Sequence, residues 1–304
     1  MSGDRAAAAG SHAAGPAAAE RFLEVPGARL AYDVRPGADA ELPTLLLVGS
    51  PMDAVGFGSL AGRLTDRTVV TYDPRGTARS RLPNGVGEVT PEQHADDLAR
   101  LIAHLGVGPV DVFASSGGAV NALALVARRP ELVRSVVAHE PPLAQLLPER
   151  DAALQVIRGI HQTYQESGLG PAMARFIAVS THQGEVPADL FEDGGPDPAM
   201  FGLPTEDEGR RDDALLGQNL VPCTSYQPDL EALRAAPVRL LVAVGEGSGE
   251  ALAARAARAL AERLGARPVD FPGDHGGFLG GEYGQMGEPD AFAARLREVL
   301  TDAA

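Results

Sequence analysis

Residues 110–125 constrain the fold of this chain more than any other segment. A short apolar run rich in Val and Phe ends at Ala114, two serines and two glycines follow, and an Ala-rich run of helical character begins without a gap. This pattern predicts a strand, a sharp turn and a helix, with one serine hydroxyl presented at the carboxyl end of the strand. Such a turn is a nucleophile elbow, and it requires small residues two positions before and after the nucleophile.

Ser116 is the predicted nucleophile of this turn. Ala114 and Gly118 are the residues two positions to either side of it, and both are small. Centring the turn on Ser115 would instead place Phe113 at a position that should be small. A serine and two glycines after a strand also occur in phosphate-binding turns and in ordinary strand–helix connections, so the elbow depends on support from the rest of the chain.

Strands alternate with helices along most of the sequence. After an opening hairpin over 21–34, the apolar runs predict buried strands at 44–48, 68–72, 110–115, 133–139, 238–244 and 269–271. Helical periodicity is found at 57–64, 91–105, 250–264 and 290–300. This alternation predicts an α/β fold with a doubly wound, mostly parallel sheet.

The stretch from 141 to 236 has a different character. Helical segments are predicted at 151–167, 172–180 and 206–220, and no buried strand is evident. We therefore expect an α/β core formed by 21–140 and 237–304, with a helical cap over 141–236. Such an insertion would cover the carboxyl edge of the sheet, where open α/β sheets bind ligands.

Composition restricts the partners and the compartment. The chain has 304 residues, a formal net charge of −15 and one cysteine, Cys223. Such an acidic chain repels phosphate groups, so we expect neither a nucleic acid nor a membrane as partner. A single cysteine excludes an intrachain disulfide. Residues 1–20 are mostly Ala, Gly and Ser without a secretory pattern, which predicts a disordered leader and a cytoplasmic protein. The oligomeric state stays open, with a homodimer as one candidate.

A serine nucleophile needs a general base, and His275 is the candidate. It lies in a Gly-rich loop directly after the short strand 269–271. Loops at that edge of the sheet can reach the elbow, and a histidine there can take the serine proton. No His, Cys or Asp pairs show the spacing of metal ligands, so we expect no metal. A reaction carried out by these side chains requires no organic cofactor either.

The carboxylate that orients the base has two candidates. Glu140 ends the strand after the elbow helix, and it would emerge at the same sheet edge as Ser116, one strand away. Glu246 follows the penultimate strand, where most folds of this kind carry the acid. We prefer Glu140 and keep Glu246 as the alternative acid.

An oxyanion hole needs two backbone donors. Gly117 would supply the first, because its N–H follows the nucleophile directly. The second should come from the loop after the strand 44–48, where Pro51 has no N–H, so Ser50 is the expected donor and Met52 the alternative. In the next such loop we expect Asp73 and Arg75 to close the turn as an ion pair.

Taken in order along the chain, these motifs resemble the α/β-hydrolase superfamily from about residue 21 to 304. The resemblance rests on the glycine loop at 49–51, the Asp-Pro-Arg-Gly turn at 73–76, the Ser116 elbow, the helical insertion and the late His275. The strand end at 139–142, His-Glu-Pro-Pro, is similar to a subset with the acid after the strand that follows the elbow, which includes lactone hydrolases of the zearalenone-degrading type. The resemblance implies a triad of Ser116, His275 and Glu140 with Gly117 and Ser50 as oxyanion donors.

Two positions depart from the usual pattern of that superfamily. Val48 stands where a histidine is usual, and the elbow opens with Ala114 instead of glycine. Dehalogenases and epoxide hydrolases of the superfamily use an aspartate nucleophile, so Ser116 argues against both activities. The resulting expectation is a serine hydrolase that cleaves a carboxylic ester or lactone through an acyl-enzyme.

Two other kinds of function are compatible with the same residues. An acyltransferase or cyclase, or a perhydrolase, would keep the triad and change the acceptor, and a ligand-binding protein would keep the fold without turnover. Acidic residues of the expected cap, at 192–193 and 206–208, favour a neutral or cationic substrate. Some of its larger apolar residues should face the site, and the candidates are Met173, Phe176, Phe191, Met200, Phe201 and Tyr226.

Overall fold

The computed structural model describes residues 19–80, 82 and 88–301. The expected leader therefore lies outside the described residues, apart from its last two positions. Those two positions belong to the first strand, which begins at Ala19. The alternating pattern that predicts the hairpin thus extends two residues further towards the N-terminus than expected.

An eight-stranded sheet forms the centre of the described residues. Its spatial order is β1-β2-β4-β3-β5-β6-β7-β8, with β2 antiparallel to both β1 and β4 and every other neighbouring pair parallel. The strands are β1 (Ala19–Val25), β2 (Ala28–Arg35), β3 (Leu45–Val48), β4 (Val69–Tyr72), β5 (Val110–Ser115), β6 (Val133–His139), β7 (Arg239–Gly245) and β8 (Val269–Phe271). The predicted doubly wound, mostly parallel sheet is confirmed.

Helices cover both faces of this sheet. They are α1 (Gly58–Arg63), α2 (Pro91–Leu105), α3 (Gly117–Arg128), α4 (Arg150–Ser167), α5 (Leu169–Thr181), α6 (Leu220–Thr224), α7 (Leu230–Ala235), α8 (Leu252–Arg263) and α9 (Pro289–Thr301). None of the helices that the structure describes is long and apolar enough to cross a membrane.

The central strands are buried on both faces, which explains their unbroken apolar sequences. Because successive side chains of a strand point to opposite faces, Val112 and Val136 pack into one core with α2, α3 and α8. Phe113 and Val137 pack into the other core with α1 and α9. A parallel sheet enclosed in this way exposes only its strand ends, and the loops there form the site.

Local signals set the limits of α2. The side chain of Thr90 accepts a hydrogen bond from the Gln93 N–H, and the Gln93 side chain accepts one from the Thr90 N–H. Pro91 occupies the first turn, where no N–H is needed, and Gly106 ends the helix with φ 65°. These contacts are local in sequence, so the predicted limits of 91–105 agree with the observed ones.

Residues 141–236 lie between β6 and β7 and contribute no strand to the sheet. We call this segment the insertion. The helix predicted over 206–220 is shorter in the structure, where residues 206–213 are not helical and a wide π-helical turn covers Ala214–Asn219. Gly209 has a left-handed φ of 74°, and Asp213 accepts hydrogen bonds from the N–H groups of Leu215 and Leu216. The Asp213 side chain therefore caps the N-terminus of this helical turn, which begins at Ala214.

The expected ion pair between Asp73 and Arg75 is wrong. Arg75 pairs with Asp97 of α2, with 2.7 Å between Nη2 and Oδ1. Asp73 instead pairs with Arg79 at 2.7 Å and accepts the Ala54 N–H at 3.0 Å. Packing of α2 beside the turn gives Arg75 a buried partner that is distant in sequence. Asp73 pairs instead with Arg79, six positions further along the same loop.

Candidate active site

The turn between β5 and α3 holds Ser116 in an uncommon backbone conformation. Its φ is 56° and its ψ is −128°, and it precedes the first residue of α3. Such strained conformations occur at functional sites, where the surrounding structure holds them in place. Ser116 is partly exposed, whereas Ser115, the last residue of β5, is buried.

Close backbone contacts explain the glycines after Ser116. A Cβ atom on Gly118 would lie 2.3 Å from the carbonyl oxygen of Val48, at the end of β3. A Cβ atom on Gly117 would lie 2.5 Å from the carbonyl oxygen of Ser50. The first turn of α3 is therefore packed against the loop after β3, and only glycine permits this approach at both positions.

The neighbouring serine makes a different contact. The Ser115 hydroxyl lies 3.1 Å from Nδ1 of His139, the last residue of β6. The His139 ring is fully buried among phenylalanine rings, including Phe113 and Phe292, and burial lowers its pKa to about 4. Ser115 is thus directed into the protein, which agrees with the choice of Ser116 as the exposed serine.

His275 and Glu140 are in direct contact. Nδ1 of His275 lies 2.6 Å from Oε2 of Glu140. The other carboxylate oxygen of Glu140 accepts the Gly245 N–H at 2.9 Å. The Glu140 side chain is 1% exposed and that of His275 is 46% exposed, so a buried carboxylate holds a solvent-accessible imidazole. Glu140 has a left-handed φ of 47°, a conformation that supports a functional role for this residue.

The surroundings of Glu140 keep it ionised. Burial raises the pKa of this carboxyl group, but the hydrogen bond from His275 and the nearby His139 and His275 rings lower it by more. The resulting pKa is about 2. Glu140 is therefore an anion at neutral pH, and the proton of the pair belongs to the His275 ring.

The alternative acid lies elsewhere. Glu246 is exposed and is absent from the residues that line the cavity at the site. Its backbone N–H bonds to the carbonyl oxygen of Phe271 and joins the ends of β7 and β8. Among the described residues, Glu140 is thus the carboxylate that contacts His275.

One cavity of about 1350 Å³ is lined by all five predicted site residues: Ser50, Ser116, Gly117, Glu140 and His275. The N–H groups of a first helical turn have no acceptor within the helix, so that of Gly117 is available at this cavity. The N-terminus of α3 also carries a partial positive charge, which favours an anion beside Ser116.

The insertion supplies much of the opposite wall. Met173 and Phe176 of α5 line the cavity, as expected from the sequence. Met200 and Phe201 are instead exposed, and Phe191 and Tyr226 pack against the core. Acidic residues of the insertion also line the cavity, at positions 206, 207, 208, 212 and 213.

Three lining residues have no evident signal in the sequence. Asn219 contacts the Ser50 hydroxyl, and Cys223 lies beside Gly117, where burial raises the pKa of its thiol to about 12. The Tyr283 hydroxyl donates to Asp53 at 2.7 Å and joins the His275 loop to the loop after β3. Each contact joins segments that are distant in sequence. Across the described residues, no cluster of three or more His, Cys, Asp or Glu residues could hold a metal ion.

Comparison with known proteins identifies the family of this chain. Residues 50–198 match the family model described as alpha/beta hydrolase fold. The chain is also 35% identical over 264 residues to the uncharacterized hydrolase YraK of Bacillus subtilis. This alignment covers 84% of this chain and 89% of that protein. The chain belongs to the α/β-hydrolase superfamily.

Solved structures of an enol-lactonase and an esterase show the same fold. An enol-lactonase from Burkholderia xenovorans superposes with a TM-score of 0.63 at 19% identity, over 93% of this chain and 100% of the other. A thermophilic esterase from Thermogutta terrifontis superposes with a TM-score of 0.62 at 21% identity, over 93% and 98%. These two likenesses show that the chain has the fold of both proteins.

Proposed function

We propose that this α/β hydrolase cleaves a carboxylic ester or lactone through a Ser116-His275-Glu140 triad. The contact that carries the proposal is the 2.6 Å hydrogen bond between His275 Nδ1 and the buried Glu140 carboxylate. This contact assigns the ring proton to Nδ1 and leaves Nε2 as the nitrogen that accepts a proton. Ser116 lines the same cavity at the N-terminus of α3, in the strained turn of a nucleophile elbow.

In the proposed reaction, Nε2 of His275 takes the Ser116 proton while Oγ attacks the substrate carbonyl carbon. The backbone N–H groups of Gly117 and Ser50 stabilise the oxyanion of the tetrahedral intermediate. Glu140 orients the ring and stabilises the imidazolium. His275 then returns the proton to the leaving alcohol, and water cleaves the acyl-enzyme by the reverse sequence of proton transfers.

The cavity supports an ester or lactone with a sizeable apolar part. Its polar residues, including Ser116 and His275, are accompanied by apolar side chains such as Ile157, Met173 and Phe176. The carboxylates that the insertion contributes favour a neutral or cationic substrate over an anionic one. Esterases and an enol-lactonase among the proteins of similar fold support the same substrate class.

The proposal is tested with p-nitrophenyl acetate and butyrate, together with labelling by a fluorophosphonate. Ser116→Ala should abolish both turnover and labelling, because both require the Ser116 Oγ. Ser115→Ala is the matched control, since it removes a hydroxyl one residue away that contacts His139. This control should keep the labelling.

The two readouts separate the alternatives. Labelling that persists in Ser116→Ala would refute the proposed nucleophile. Labelling of the wild type without hydrolysis of either ester would indicate a different acceptor, as in acyl transfer. A wild type that shows neither signal would refute a catalytic triad and favour a ligand-binding role. A panel of lactones would follow a positive result.

A further inference from the structure

A buried amide from the insertion lies against the loop that follows β3. Asn219 is the last residue of the π-helical turn Ala214–Asn219 and is 1% exposed. It lines the cavity of the proposed active site together with Ser50. Turns of this wide kind occur frequently at functional sites, and here the turn brings an insertion side chain to a core loop.

Three hydrogen bonds fix the orientation of this amide. Its Oδ1 lies 3.0 Å from the Ser50 hydroxyl and 2.9 Å from Nε2 of His94 in α2. Its Nδ2 donates to the carbonyl oxygen of Ala214 at 2.7 Å. Exchanging the amide O and N would place Oδ1 against that carbonyl oxygen, so the orientation is determined.

The donor and acceptor roles follow from this orientation. Because Oδ1 can only accept, the Ser50 hydroxyl donates its proton to it, and His94 donates from a protonated Nε2. His94 is fully buried, and its Nδ1 has no hydrogen-bond partner among the described residues. Asn219 is thus the acceptor shared by a core helix and the loop after β3.

Ser50 is also packed against the elbow. A Cβ on Gly117 would lie 2.5 Å from the Ser50 carbonyl oxygen, so the peptide of Ser50 and the start of α3 are in close contact. The hydroxyl of Ser50 is its side-chain connection to the insertion. Movement of that side chain would therefore move the backbone that carries the proposed second oxyanion donor.

We propose that Asn219 is a positioning residue that holds Ser50, and with it the backbone N–H of the oxyanion hole, from the insertion. The inference rests on the proposed function, since it assigns a role within the same reaction. His94 supports this role, because its hydrogen bond to Oδ1 fixes the orientation of the Asn219 amide. In this arrangement the insertion shapes the cavity and also completes the catalytic geometry of the core.

This role predicts a specific kinetic pattern. An oxyanion exists only after attack on the carbonyl group, so a displaced donor lowers kcat and leaves substrate binding largely intact. Removal of one donor outright lowers kcat by about 10²- to 10³-fold. Displacement of a donor that is still present should cost less, about 10- to 100-fold.

The experiment compares Asn219→Leu, Ser50→Ala and the double variant with p-nitrophenyl butyrate. Ser50→Ala keeps the backbone N–H and removes only the hydroxyl that Asn219 accepts. Each single change should lower kcat about 10- to 100-fold with KM within about threefold. The double variant should be no worse than the poorer single variant, because both changes break one connection. Fully multiplicative losses, or a raised KM with unchanged kcat, would overturn the proposal.

His94 provides a test by conservative replacement. His94→Ala should lower kcat in the same way, because the Asn219 amide loses its second donor. His94→Gln places an amide N–H close to the position of Nε2 and should recover most of that loss. Equal kcat values for the two His94 variants would contradict the proposal, and this pair also serves if Asn219→Leu does not fold.

A control variant separates positioning from general loosening of the insertion. Glu149 of the insertion forms a bidentate ion pair with Arg255 of α8, outside the cavity lining. Glu149→Gln weakens that connection and should leave kcat within about twofold; a kcat loss matching that of Asn219→Leu would overturn the proposal. Ser116→Ala in the same assays tests the proposed function itself. If Ser116→Ala abolishes turnover and Asn219→Leu does not reduce it, only the positioning role fails.

Discussion

Replacement of Glu140 by glutamine tests how much of the catalysis depends on a negative charge behind His275. Glutamine has nearly the same shape and can keep the hydrogen bond from the Gly245 N–H. It removes the charge, and its NH₂ group can occupy the position that faces Nδ1 of His275. The proton of the ring would then move to Nε2, the nitrogen that has to accept the Ser116 proton.

The magnitude follows from the environment of the carboxylate. The surroundings lower the pKa of Glu140 from an ordinary 4.5 to about 2, which corresponds to about 3 kcal/mol in favour of the ionised form. Loss of about this much stabilisation of the His275 imidazolium in the transition state lowers kcat by roughly 10²-fold. The unfavourable tautomer adds to this, so we expect a decrease between about 10²- and 10⁴-fold.

The assay is steady-state hydrolysis of p-nitrophenyl butyrate, with the melting temperature as a check on folding. Glu246→Gln is the matched control, because Glu246 is exposed and lies outside the cavity. We expect the control to retain kcat within about threefold of the wild type. A folded Glu140→Gln enzyme within tenfold of wild-type kcat, with a large loss in Glu246→Gln, would refute the assignment of the acid.

Three further predictions concern stability and are measured by urea unfolding. Burial lowers the pKa of both His94 and His139 to about 4 from an ordinary 6.5. As the pH falls, the unfolded chain therefore binds protons before the folded chain does. The free energy of unfolding should have its full value above pH 6.5 and should be about 4 kcal/mol lower at pH 5. A flat profile over that range would contradict this. Gly118→Ala should destabilise by about 1–3 kcal/mol, since its Cβ would clash with the backbone of β3. The control Gly159→Ala should be neutral or stabilising, because a Cβ there meets nothing within 4 Å. Equal effects of the two substitutions would refute the clash. Asp111→Asn should destabilise by about 3–5 kcal/mol, because it removes the closer carboxylate partner, at 3.0 Å, of the buried Arg67. A loss below about 1 kcal/mol would count against that ion pair.

Most of the fold and part of the site could be predicted from sequence patterns. The apolar runs predict the buried strands because a residue's preference for the core depends on its own side chain. Thr90, Pro91 and Gly106 predict the limits of α2 because capping groups act within a few residues. The elbow is local in the same sense, since the small residues around Ser116 are required by the turn itself. For the acid that pairs with His275, the position of strand ends at one edge of the sheet favoured Glu140 and left Glu246 as the alternative.

Outside the proposed triad, only the tertiary structure decided which side chains pair across long sequence separations. Arg75 contacts Asp97 instead of Asp73, and Asn219 reaches Ser50 across 169 positions of the chain. Such contacts depend on how helices and loops pack in three dimensions, and a local pattern carries no information about that geometry. The chain by itself determined the alternation of strands and helices in the core and the serine at its elbow, because both follow from local patterning. The partners of the buried polar groups, and the shape of the cavity that the insertion encloses, followed only from packing.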